Sequence, residues 1–102
     1  MNRINKVFKN KKDILSIYFT AGFPNLSDTS SIIQSLDNSG VDMIEVGLPF
    51  SDPLADGLTI QQSSTTALKN GMTTTKLFDQ LKGLRKVTNI PIELLIFFHI
   101  II

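Results

Sequence analysis

Apolar and polar positions along this chain follow two periods, one helical and one extended. Residues 2–10 place Ile4, Val7 and Phe8 on one face at helical spacing, which predicts a short amphipathic helix. Asp13 then precedes Ile14-Leu15-Ser16-Ile17-Tyr18-Phe19-Thr20, a near-continuous apolar run rich in strand formers. Such a run suits a strand covered on both sides, as in a parallel sheet. Ala21-Gly22-Phe23-Pro24-Asn25 breaks it. Ser27 or Asp28 can cap the next helix, in which Ile32, Ile33 and Leu36 fall at helical spacing. Asn38-Ser39-Gly40 closes that helix, with Gly40 as a left-handed cap. Val41 to Val46 reads as a second strand, and Gly47 to Gly57 as a loop with two prolines. A helix from about Thr59 to Lys69 ends at Asn70-Gly71. Thr73 or Thr74 can cap another, with Leu77, Phe78, Leu81 and Leu84 on its inner face. Asn89-Ile90-Pro91 interrupts, and Ile92 to Phe98 reads as a third strand.

Strands alternating with helices predict an α/β fold of right-handed parallel units. Both the doubly wound sheet and the (β/α)8 barrel are built that way, and the pattern alone does not choose between them. No glycine-rich phosphate fingerprint follows the first strand: Thr20-Ala21-Gly22-Phe23-Pro24 has one glycine and a proline, which weighs against a dinucleotide fold. Three strands do not close a barrel, which needs roughly 200 residues or more. The expectation is therefore a small open α/β domain or a portion of a larger one.

Composition narrows the class. At 102 residues the chain is one small domain, with 42% hydrophobic and 19% charged residues, a globular balance. A net charge of +1 does not point to nucleic acid or an anionic membrane. Lys6, Lys9, Lys11 and Lys12 read as a solvated helix end and turn. There is no cysteine, so disulfide and thiolate chemistry are excluded and a reducing cytoplasm is the expected compartment. With one histidine, His99, a zinc cluster is not expected. The end from Leu94 to Ile102 is apolar apart from His99, about half the length a membrane helix needs.

Three carboxylates carry the candidate chemistry. Glu45 sits inside the apolar run Val41-Asp42-Met43-Ile44-Glu45-Val46, near the C-terminal end of the strand, where active sites of parallel α/β folds gather. A carboxyl in an apolar pocket has a raised pKa suited to proton transfer. A glutamate at a frayed strand end, reaching solvent or a lysine, fits the same pattern. Asp52 and Asp56 lie in the following loop, before proline and glycine respectively, where turn and cap roles are common. A strand-end Glu and a loop Asp could converge on one ligand as an acid/base pair. Ser51 has no neighbouring histidine, and the segment Ser63-Ser64-Thr65-Thr66 holds no specific signal.

The segment Glu45-Val46-Gly47-Leu48-Pro49-Phe50-Ser51-Asp52-Pro53-Leu54-Ala55-Asp56-Gly57, continuing Thr59-Ile60-Gln61, resembles the signature of tryptophan synthase alpha chains. The upstream Tyr18-Phe19-Thr20-Ala21-Gly22-Phe23-Pro24 resembles that family's first strand and turn. The likeness runs from about residue 1 to about residue 95. It implies the first three βα units of a (β/α)8 barrel, so that residues 1–102 form the N-terminal portion of a single barrel domain. It also implies a lyase that cleaves indole-3-glycerol phosphate to indole and glyceraldehyde 3-phosphate in L-tryptophan biosynthesis, with no cofactor or metal of its own. By position, Glu45 matches the catalytic acid/base and Asp56 the carboxylate that accepts the indole N–H. Tyr18, Ile60 and Leu95 match positions lining the indole pocket. The loop from Pro49 to Asp56, including Asp52, matches the surface that meets the beta chain, which carries pyridoxal phosphate and assembles with the alpha chain as a heterotetramer.

Two departures from the family pattern stand out. Leu58 replaces the usual proline after Asp-Gly. After Ile92-Glu93-Leu94-Leu95, residues 96–102 form an atypical apolar tail where the family continues into further barrel units. The family's phosphate site lies on later barrel loops. The expected alternative to an active lyase is thus an inactive fragment that keeps a beta-chain-binding loop.

Overall fold

Three short parallel strands, each preceded by helix, organise the chain. The computed structural model describes residues 2–10, 13–49 and 57–96. In chain order the elements are α1 (Arg3–Asn10), β1 (Ser16–Thr20), α2 (Thr29–Asn38), β2 (Met43–Gly47), α3 (Leu58–Lys69), α4 (Thr74–Leu81), a 3-10 turn (Leu84–Lys86) and β3 (Ile92–Leu95). The sheet order is β1-β2-β3. Tyr18 is the register partner of Glu45, and Glu45 that of Glu93. Beyond the strands, Ala21 N–H donates to Gly47 O at 2.9 Å and Leu48 N–H to Leu95 O at 3.0 Å. Pro49, with no N–H to give, ends the ladder on β2.

Alternation along the strands separates two faces of the sheet. Ile17, Phe19, Ile44, Val46, Ile92 and Leu94 turn toward the helices, where they meet Ile33 of α2, Ala67 of α3 and Leu77 of α4. Ile33, Ile44, Val46 and Leu77 are fully buried there. Ser16, Tyr18, Thr20, Met43, Glu45, Gly47, Glu93 and Leu95 occupy the opposite face. Buried Thr88 ties the layers together: its hydroxyl donates to the Asp37 carboxylate at the end of α2 and accepts from Ile90 N–H at 3.1 Å. Arg85 Nη1 donates to Ile90 O at 2.6 Å, and partial burial, then Arg3, hold its guanidinium below the usual arginine value.

The helix ends follow their residues, with exceptions. Thr73 caps α4 by accepting from Lys76 N–H at 3.2 Å, and Gly40 and Gly71 take left-handed φ values of 89° and 99° after α2 and α3. Asp28 sits at the N-cap of α2 but makes no cap bond; its carboxylate accepts instead from the backbone and side chain of Asn25. The helix expected to carry Leu77, Phe78, Leu81 and Leu84 on one inner face stops at Leu81, because Gly83 turns left-handed and Leu84 re-enters the core from a 3-10 turn. Phe78, expected inside, is 48% exposed. Phe8 is likewise exposed at 60%, and only Ile4 and Val7 of α1 are half-buried. The first strand, expected to be covered on both sides, is half-buried from Ser16 to Phe19, because β1 is an edge and β2 takes the centre. The third strand, expected to run from Ile92 to Phe98, ends at Leu95, and Ile96 is half-buried against the core; residues 97–98, the rest of the tail and His99 lie outside the described residues.

Candidate functional site

The sheet face turned away from the helices gathers three of the candidate residues, Tyr18, Glu45 and Leu95. Glu45, at the third of five positions in β2, projects there because its neighbours Ile44 and Val46 project into the core. It is half-buried, not enclosed in an apolar pocket, and its Oε1 accepts from Ser16 Oγ at 2.8 Å. Ser16 pairs in register with Met43, so this contact is diagonal and draws the carboxylate toward the start of β1.

Tyr18 stands beside Glu45 on β1 and leans the opposite way, toward the strand ends. A Cβ added at Gly47 would lie 2.7 Å from Cε2 and Cζ of Tyr18, and nearer still to its hydroxyl. The ring therefore occupies the space that the missing side chain of Gly47 leaves. Leu95, the register partner of Gly47, is half-buried on the same face. Ile60 lies in the first turn of α3, also half-buried, and its carbonyl accepts from Ser63 Oγ at 3.0 Å.

Thus Glu45, Tyr18 and Leu95 share one sheet face, and Ile60 is linked to it by its backbone carbonyl, through Ser63 and Thr20. Thr20 Oγ1 lies 3.2 Å from Tyr18 Oη and 2.7 Å from Ser63 Oγ. Pro49 is buried at the end of β2. Asp52 and Asp56 lie outside the described residues. Ser16, Thr20 and Ser63 were not singled out by sequence reasoning. The alternation Ser16-Ile17-Tyr18-Phe19-Thr20 holds the signal for two of them, since three hydroxyl-bearing residues share one parity in an otherwise apolar strand. Ser63 has no such marker, because its partner is 43 positions away. Among the described residues, no group of three or more His, Cys, Asp or Glu side chains comes together to hold a metal. No described helix is long and apolar enough to cross a membrane.

The family model described as tryptophan synthase alpha chain matches residues 4–102. The chain is 64% identical over 99 residues to the tryptophan synthase alpha chain of Flavobacterium psychrophilum, and 62% identical over 99 residues to that of Christiangramia forsetii. Each alignment covers 97% of this chain and 39% of the relative, so the chain spans well under half the length of these curated relatives. Among solved structures, the tryptophan synthase subunit alpha of Legionella pneumophila superposes with a TM-score of 0.86 at 37% identity, covering 92% of this chain and 38% of that one. A tryptophan synthase complex from Pyrococcus furiosus gives a TM-score of 0.75 at 43% identity, covering 82% and 35%. The three parallel strands and their helices correspond to the opening βα units of that barrel fold.

Proposed function

Because the chain belongs to the tryptophan synthase alpha chain family, we propose that it carries the proton-transfer half of a lyase site for indole-3-glycerol phosphate. The observation that carries this reading is the pairing of Glu45 with Tyr18 on the one sheet face not given to the helices. Glu45 gives a proton to C3 of the indole ring. Asp56 accepts the ring N–H and stabilises the resulting cation. The Glu45 carboxylate then takes the proton of the adjacent glycerol hydroxyl. The carbon–carbon bond breaks, its electron pair restores the aromatic ring, and the hydroxyl carbon becomes the aldehyde of glyceraldehyde 3-phosphate. The proton returns to Glu45, so the cycle closes with no cofactor in this chain. Tyr18, Ile60 and Leu95 wall the ring plane, and Gly47 leaves room for Tyr18.

The phosphate grip of the family lies on later barrel loops, beyond the share of the relatives that this chain spans. Residues 1–102 therefore act as the N-terminal portion of one barrel domain, and the chain alone turns over at a small fraction of a full-length homologue's rate. An assay of indole release from indole-3-glycerol phosphate by the purified chain tests this. Release at least about 1,000-fold slower than by a full-length homologue is expected, since substrate positioning supplies several orders of magnitude of rate. Turnover equal to the homologue's overturns the reading.

A second reading is favoured by the likeness to a chain solved within a tryptophan synthase complex. Here the loop that starts at Pro49 serves, through Asp52, to meet a pyridoxal phosphate-carrying beta chain in the cytoplasm, as part of an assembly of two alpha and two beta chains, while Pro49 itself, being buried, sets only the start of that loop. Co-purification with a beta chain, lost on Asp52→Lys, supports it; no association at micromolar concentration counts against it.

A further inference from the structure

Ser63 belongs to a polar stretch of α3 that carries no motif, yet it ends a row of hydroxyls that begins at the site. The row runs from Tyr18 Oη to Thr20 Oγ1 at 3.2 Å, on to Ser63 Oγ at 2.7 Å, and then to the Ile60 carbonyl at 3.0 Å. Each hydroxyl owns one proton. A carbonyl only accepts, so Ser63 gives its proton to Ile60. Thr20 must then be the donor to Ser63, and Tyr18 the donor to Thr20. The row has a single polarity, directed from the sheet face into the first turn of α3. Thr20 is 3% exposed, so its hydroxyl bonds are made largely out of water. At the other end, the Tyr18 ring rests where a Gly47 side chain would stand.

We infer that Ser63 is a positioning residue: acting through Thr20, it holds the Tyr18 ring against Gly47 and so sets the aromatic wall that an indolic ligand meets beside Glu45. The ligand class rests on the lyase reading above; the hold on Tyr18 does not. Sequence spacing hides the device, because the two ends of the row sit on β1 and α3, and only packing of α3 over the end of β1 joins them.

Tyr18 is the only tyrosine and there is no tryptophan, so the tyrosine band of near-ultraviolet circular dichroism reports this ring alone. In the 102-residue chain, Ser63→Ala is expected to lose most of that band while keeping the far-ultraviolet signal. Its affinity for indole, measured by calorimetry, is expected to fall about three- to ten-fold, the range of one hydrogen bond. Ser63→Thr keeps the hydroxyl and restores both. Thr20→Val breaks the row at its middle with little change of shape and gives the same two losses, which keeps the test intact if Ser63→Ala fails to fold. On a Tyr18→Phe background, Ser63→Ala changes indole affinity less than about two-fold, because the coupled pair is already broken. An unchanged tyrosine band in Ser63→Ala, or an equal affinity loss with and without the Tyr18 hydroxyl, overturns the inference. A wild-type chain that binds no indole, but whose band is lost in Ser63→Ala and regained in Ser63→Thr, overturns the ligand reading and leaves the hold on Tyr18 standing.

Discussion

Ser16 donates its hydroxyl to Oε1 of Glu45 at 2.8 Å, across the ladder and two positions back from the register partner of Glu45. The one carboxylate on this face of β2 is therefore fastened at the base of the sheet by a hydroxyl from the neighbouring strand. Ser16→Ala removes that donor from a half-buried acceptor, and the expected cost is about 1 kcal/mol. Urea denaturation of the two chains checks it through the midpoint at unchanged slope. Ser16→Thr, which keeps a donor, is expected to lie nearer the wild type.

Gly47 answers to a different constraint. Its backbone is not left-handed; what matters is the Tyr18 ring above it. Gly47→Ala forces that ring and its hydroxyl row to move. The expected loss is about 1–3 kcal/mol, the range for overpacking, with a change in the tyrosine band that a conformational effect on β2 alone would not produce. Gly47→Ala at wild-type stability with an unchanged band contradicts the close approach.

Asn70 closes α3 and ties it to the loop after β1. Its Nδ2 donates to Gly22 O and to Pro24 O, each at 2.9 Å. Asn70→Ala is expected to cost about 1–2 kcal/mol for two lost bonds at a partly exposed site. Asn70→Asp should cost more than Asn70→Ala, because a carboxylate there faces two carbonyls with nothing to donate. The ranking of the two denaturation midpoints is the check, and Asp above Ala would contradict it.

Ile44 lies at the centre of the helix-facing side and is fully buried. Ile44→Val is expected to cost about 0.5–1.5 kcal/mol and Ile44→Ala about 2–5 kcal/mol, with the larger change creating a cavity between β2 and the helices. Equal midpoints for the two variants would mean that the site collapses around the gap.

Much of this architecture was legible in the residue order. The apolar runs before Ala21 and before Pro49 locate β1 and β2, Gly40 and Asn70-Gly71 mark where helices end, and Thr73 announces its cap. These features are local, and local physics decides them. What the order did not disclose depends on neighbours far along the chain. Phe78 is apolar and at the right spacing, yet it is 48% exposed, and Leu84 enters the core from the 3-10 turn beyond Gly83 and not from α4. The half-burial of β1 follows from its place at the sheet edge, which no run of its own residues encodes. The site divides the same way. Glu45 announces itself as a carboxylate in an apolar strand, and the family likeness supplies its expected role. Ser16 and Ser63 acquire meaning only when β1 meets β2 and α3 meets β1.

The two-faced sheet has a consequence for how substitutions in this chain distribute their effects. Residue-number parity becomes a guide to phenotype. In β1 the even positions 16, 18 and 20 face away from the helices and the odd positions 17 and 19 the core; in β2 and β3 the rule inverts, with 43, 45, 47, 93 and 95 on the face away from the helices and 44, 46, 92 and 94 within the core. A scan of single changes through the three strands should therefore alternate, residue by residue, in its effect on ligand affinity, a single step out of phase between β1 and its neighbour, while stability losses fall on the core positions and also on Ser16, whose hydroxyl is bonded, and Gly47, which Tyr18 crowds.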